Sequence, residues 1–213
     1  MATSAYLTGR KKYARPQAML WSENSGTLAE NGLYVPVGYE VNTGLSPSAD
    51  QTTANQFIIL SDDNRATIDF KPTRIEKRER MINGRMRSYH VADKLTISTS
   101  WTMLPSRSFA VNQNFNASTG KSIYTNDIDY SYTTDGGAGG AEVLDWYNSH
   151  KGSFWVYLAY DNYRTFGKDA SAYGHLGQYN QVIEMFISDF SYNIEKRGGK
   201  YDFWNISVTL EEV

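Results

Sequence analysis

The chain has no cysteine, which excludes a disulfide framework and thiolate metal sites. Histidine is nearly as scarce. His90, His150 and His175 are the only three, and no two stand at metal-ligand spacing. No apolar run approaches the length of a membrane span. The opening MATSAYLTGRKKYARPQAML holds no apolar stretch of signal-peptide length, so synthesis and folding in a cytoplasm are expected. An excess of one charge is missing too. The 21 Lys and Arg nearly balance 23 Asp and Glu, for a net charge of −2, which argues against a general nucleic-acid binder.

Catalytic and cofactor motifs are also missing. There is no G-x-S-x-G elbow and no G-x-G-x-x-G. Gly136-Gly137-Ala138-Gly139-Gly140 precedes a helical pattern, and helix N-termini bind anions. No Gly-Lys-Ser/Thr follows it, so a flexible lead-in is the expectation. Asp127, Asp129, Ser131 and Thr133 imitate the start of a calcium loop. Tyr132 then occupies the place of the required Gly, and Ala138 that of the bidentate Glu. Carboxylates are plentiful, but nothing in their placement marks a glycosidase pair. The expectation is a non-enzyme with no cofactor and no metal.

What is present is aromatic: 16 Tyr, 9 Phe and 5 Trp, a composition suited to strands and to interfaces. Residues 1–55 read as an irregular arm with one short strand near Leu33–Val37, and residues 56–213 as a β domain. Leu95, Ile97, Thr99 and Trp101 alternate toward one face, and Trp204, Ile206, Val208 and Leu210 do the same. Ala66–Phe70 reads as a strand ended by Pro72. Val143, Leu144, Trp146 and Tyr147 fall on one helical face. Together these predict a mainly β fold. It is an antiparallel β-sandwich or small barrel, with one short flanking helix at about 140–150 and a projecting β-hairpin at about 74–92.

That hairpin, RIEKRERMI-NG-RMRSYHV, is the most unusual segment. Asn83-Gly84 fits a two-residue type I′ turn. With that turn, Met81 faces Met86, Arg80 faces Arg87 and Arg78 faces Tyr89. Arg78, Arg80, Arg85 and Arg87 then share one face, and like charges directly opposite destabilise a ribbon. Such a ribbon expects acceptors from elsewhere, and the bland alternative is a solvated basic hairpin.

Ser61–Arg107 resembles a block of tailed-bacteriophage tail proteins, through its RIEK-RMxNGRMRxY hairpin and the ADKxTxSxSWxxLPS strand after it. AEVLDWYNSHKGSFWVYLAYD and the ending YDFWNISVTLEEV are similar to tail-tube-type domains, so the resemblance covers about residues 56–213. It implies a structural virion protein, made in the host cytoplasm, that self-assembles into homo-oligomeric rings. These are usually hexameric, stack into a tube or a tube-proximal ring, and contact other tail proteins. DNA passes through the lumen without specific binding, and no membrane is involved. In that setting Arg78, Arg80, Asn83, Gly84, Arg85, Arg87 and Tyr89 form a subunit-interface hairpin. Its candidate acceptors on neighbours are Asp62, Asp63, Asp127, Asp129, Glu211 and Glu212. A carbohydrate-binding β-sandwich of a receptor-binding or baseplate apparatus is the competing expectation. It rests on Tyr160, Tyr163, Tyr173 and Tyr179 as exposed aromatic platforms.

Overall fold

The computed structural model describes residues 17–28, 34–35, 57–108, 115–116, 121–122, 132–160, 179 and 181–213. The elements in chain order are β1 (Met19–Ser22), β2 (Thr27–Leu28), β3 (Tyr34–Val35), β4 (Phe57–Ile59), β5 (Asp69–Arg80), β6 (Met86–Pro105), β7 (Phe115–Asn116), β8 (Lys121–Ser122), α1 (Gly140–Ser149), β9 (Phe154–Leu158), β10 (Gln181–Arg197) and β11 (Asp202–Glu212). Seven strands form one sheet in the order β4-β1-β9-β10-β11-β6-β5, with every neighbouring pair antiparallel. The pairs β2–β3 and β7–β8 stand apart from it.

The alternation read from the sequence sets the buried face. Ile97, Thr99 and Trp101 of β6 point inward, as do Ile206, Val208 and Leu210 of β11. They join Met19, Trp21, Ile58, Phe154, Val156 and Met185 from the other half of the sheet in a single core cluster. One cluster drawn from both halves requires the sheet to curl around it. The chain itself links the two edges. After β4 it crosses to β6, where Ala66 N–H donates to the Ser100 carbonyl (2.8 Å) and the Trp101 indole donates to the Ser61 carbonyl (2.7 Å). Edge strand β5 begins just beyond. Among the described residues no ladder joins β4 to β5, so the curled sheet stops short of a closed barrel. The mainly antiparallel β class, the helix and the projecting hairpin are all present.

Helix α1 covers one end of the core through Val143 and Trp146. Tyr147 stacks on Phe190 of β10, with ring centroids 4.4 Å apart. Its N-terminus is held by Glu142, which accepts the Gly139 N–H (2.6 Å), the Ser108 N–H (3.1 Å) and the Ser108 hydroxyl (2.8 Å). This is the carboxylate half of a capping box, turned inward to satisfy buried donors.

Three expectations need correction. The irregular arm at 1–55 contains β1, an interior strand whose four residues are all buried. Only Met19-Leu20-Trp21 are apolar there, too short a run to show a period. The Gly-rich lead-in to α1 is not a flexible hinge. A Cβ on Gly137 would lie 2.5 Å from the Ser61 backbone, and one on Gly139 would lie 2.6 Å from Arg107, so these glycines permit close backbone approach. Lastly, Pro72 does not end a strand but lies inside β5, which tolerates it because β5 is an edge.

Candidate assembly interface

The β5–β6 hairpin outruns the rest of the sheet. The last residue of β6 paired with β11 is Thr96, and from Leu95 back to Met86 its only strand neighbour among the described residues is β5. At about 3.3 Å per residue this two-stranded ribbon projects roughly 30 Å. Its residues are almost all exposed. An isolated two-stranded ribbon is marginally stable in water, so local interactions must supply its order.

The turn differs from the type I′ expectation. The Met81 N–H donates to the Arg85 carbonyl (2.8 Å) and the Gly84 N–H to the Met81 carbonyl (2.9 Å). Gly84 has φ +80°, while Asn83 keeps a negative φ. A type I′ turn needs positive φ at both central residues. The observed loop, Ile82-Asn83-Gly84, matches a three-residue hairpin with a left-handed glycine bulge. The Asn83 side chain is used as well, with its Oδ1 accepting the Arg85 N–H (3.1 Å).

This extra loop residue moves the register by one, and a one-residue move exchanges faces. Arg80 pairs with Met86, Glu79 with Arg87, Arg78 with Ser88 and Lys77 with Tyr89. The four arginines therefore do not share a face. Arg78 and Arg80 lie on one side with Glu76, Met86 and Ser88. Arg87 and Tyr89 lie on the other with Lys77 and Glu79, and Arg85 at the loop exit alternates to that same side. The predicted crowding of like charge is replaced by mixed charge on both faces.

Nearer the sheet, the ribbon is pinned by carboxylates. Glu76 accepts from the Ser88 hydroxyl and the Arg78 guanidinium, and both interactions hold its carboxyl below the usual range, the Ser88 bond most. Asp93 pairs with Arg74 (3.0 Å) and with His90 (3.2 Å). The Arg74 hydrogen bond is the main cause of its lowered pKa, with His90 adding to it. Lys77 pairs with Glu79 (2.6 Å). At the tip the pattern stops. Arg80, Arg85 and Arg87 make no ion pair among the described residues, and Ile82 is fully exposed beside the exposed Met81 and Met86. The sequence reading missed these three apolar residues, although all three stand within two residues of the turn.

The candidate acceptors are scattered. Asp62 pairs with Arg65 (2.9 Å) and accepts the Ala18 N–H (3.2 Å), which ties it to its own fold. Asp63 accepts the Thr134 N–H (3.4 Å). Glu212 accepts the Leu95 N–H (2.8 Å) where β11 ends, extending the β6 ladder with a side chain. Glu211 is exposed on the sheet surface. None of these four touches a hairpin arginine within the chain. Asp127 and Asp129 lie outside the described residues, as do Tyr163, Tyr173 and His175. Of the proposed sugar platforms, Tyr179 is fully buried against Tyr157, and Tyr160 is half-buried against Phe70. Neither is an open aromatic surface.

A second surface lies on the outward face of β6, β11 and β10. Register sets Ser98, Thr209 and Asp189 in one row across the three strands, and Ser100, Ser207 and Ser191 in the next. Asn205 and Asn193 form a third row. These rows hold hydroxyls, amides and a carboxylate, and the rows on either side of them on the same face carry Lys71 and Lys196.

No family model matches the sequence, and no curated protein matches it. Among solved structures, a chain from the tail of an empty GTA particle, determined with helical refinement in C6 symmetry, is similar with a TM-score of 0.34 and 10% identity. The alignment covers 77% of this chain and 87% of that one.

Proposed function

We propose that this chain is a non-catalytic structural subunit of a bacteriophage-type tail. Copies assemble into rings, as the tube or a ring close to it, around a channel for DNA, and the β5–β6 hairpin reaches a neighbouring copy. The observation that carries this reading is the hairpin itself. A ribbon of roughly 30 Å is built beyond the sheet, pinned near its base and left at its tip with three unpaired arginines and an exposed apolar knob. Within a monomer such a tip gains nothing. Against another subunit, the arginines can make charge-assisted, bidentate contacts while Ile82, Met81 and Met86 leave water. The motifs of Ser61–Arg107 give the docking its context.

The hydroxyl, amide and carboxylate rows of β6, β11 and β10 suit a channel wall. Within these rows DNA phosphates meet no cation, and Lys and Arg contacts dominate affinity for the backbone; Lys71 and Lys196 border the rows on the same face. The hairpin arginines are assigned to subunit contacts.

Sedimentation velocity of the native chain and of the double variant Arg80→Glu, Arg87→Glu tests the reading. Both positions are exposed and outside the core, so the variant folds. The native chain is expected to associate with rising concentration, and the variant to stay monomeric at concentrations at least about tenfold higher. Equal association of the two would remove the hairpin from assembly.

A further inference from the structure

Pro72 stands inside β5, a strand with one paired edge and, among the described residues, one free edge. In an antiparallel pair, each residue's N–H and C=O both point toward the partner or both point away, alternating along the strand. The orientation at Pro72 follows from its partner, Leu95. The Leu95 N–H donates to the Glu212 carboxylate on the β11 side, so it points away from β5. Pro72 and Leu95 therefore form a pair without mutual hydrogen bonds, and the Pro72 nitrogen faces the free edge. The proline removes no bond from the native sheet. It removes a donor from the row that another strand would use.

The β5–β6 ladder is irregular three residues further along, where β6 carries an extra residue, Val91, between the pairs Ile75–Ala92 and Glu76–His90. Exposed Lys71, Arg74 and Lys77 stand along the same strand as Pro72. Prolines, bulges and charges on an edge strand are devices against strand addition. Beyond Met185, where its pairing with β9 ends, β10 also carries extra residues, between Ile187 and Asp189 and between Ile194 and Lys196.

We infer that Pro72 is an edge guard: it keeps the β5 edge of the free chain from pairing with the extended edge of a second copy, so that association runs through side-chain contacts instead of open-ended sheet growth. This holds whether or not the chain belongs to a tail. The variants Pro72→Thr and Pro72→Ala both restore the missing N–H, and Ala does so without a β-branched side chain. Sedimentation velocity over a concentration series, with thioflavin T fluorescence, should show both associating at about tenfold lower concentration than the native chain, with cross-β signal. Adding Phe70→Pro to Pro72→Thr moves the missing donor to the preceding outward-facing position, leaves the Arg74–Asp93 pair intact, and should return the onset to the native value. If all chains associate at the same concentration, or if the added proline leaves the onset low, the edge-guard assignment is wrong.

Discussion

At the scale of single residues, the most constrained positions are glycines and carboxylates that no catalytic motif marks. Gly137 passes so close to Leu60 and Ser61 that any side chain meets backbone, which cannot rotate away. Gly137→Ala should therefore cost about 2–3 kcal/mol, the upper range for overpacking, read as a lower urea midpoint with an unchanged slope. Gly84 is constrained differently. It has open space around it and a left-handed φ of +80°, so its requirement is conformational and confined to the ribbon. The buried Asp135 shows how polar groups are used inside. Its carboxylate accepts the Ser61 hydroxyl (2.8 Å), the Asp62 N–H (2.7 Å) and the Gly137 N–H (2.9 Å), stitching the crossing after β4 to the segment before α1.

At the scale of elements, the ribbon and the core should respond separately to acid. Glu76 and Asp93 both have pKa values lowered in the folded chain. For such groups the stabilisation is fully present above the unfolded value, near ~4 for carboxylates. It is lost as pH falls through the lower folded value. Amide exchange protection across Arg74–Asp93 should thus decline below about pH 4, while that of β1 and β9 persists. Parallel loss in both regions would mean that these carboxylates do not hold the ribbon.

Elements were legible in the sequence where periodicity was long. Strand β6 from Leu95, the inward face of β11 and helix α1 all announce themselves by period, because alternation or helical spacing over several residues has few readings. Two kinds of feature were not legible. Strand β1 is too short to have a period, and its interior place depends on β4 and β9, which are remote in sequence. The hairpin turn was visible as Asn83-Gly84, but its type was not. Asn-Gly serves both the two-residue loop and the three-residue loop with a left-handed glycine. The choice changes the register by one residue and so reassigns every arginine to a face. The hairpin was therefore legible as a segment, but with the wrong internal geometry. Its tip chemistry, Arg80, Arg85 and Arg87 around Ile82, emerged only once the true pairing was known.

At the scale of the whole molecule, charge and shape are sorted. A nearly neutral chain keeps cations off the hydroxyl and carboxylate rows of its long sheet and gathers unpaired arginines at the end of a projecting arm. It buries aromatic residues, Trp21, Trp101 and Trp146 among them, in a core held by one curled sheet and one helix. Those features together support a repeating subunit. The central claim is self-assembly, and negative-stain electron microscopy of the purified full chain over a concentration series tests it most directly. The account predicts closed rings with a central channel at high concentration, together with short stacks of them. Uniform monomers at every concentration would contradict it.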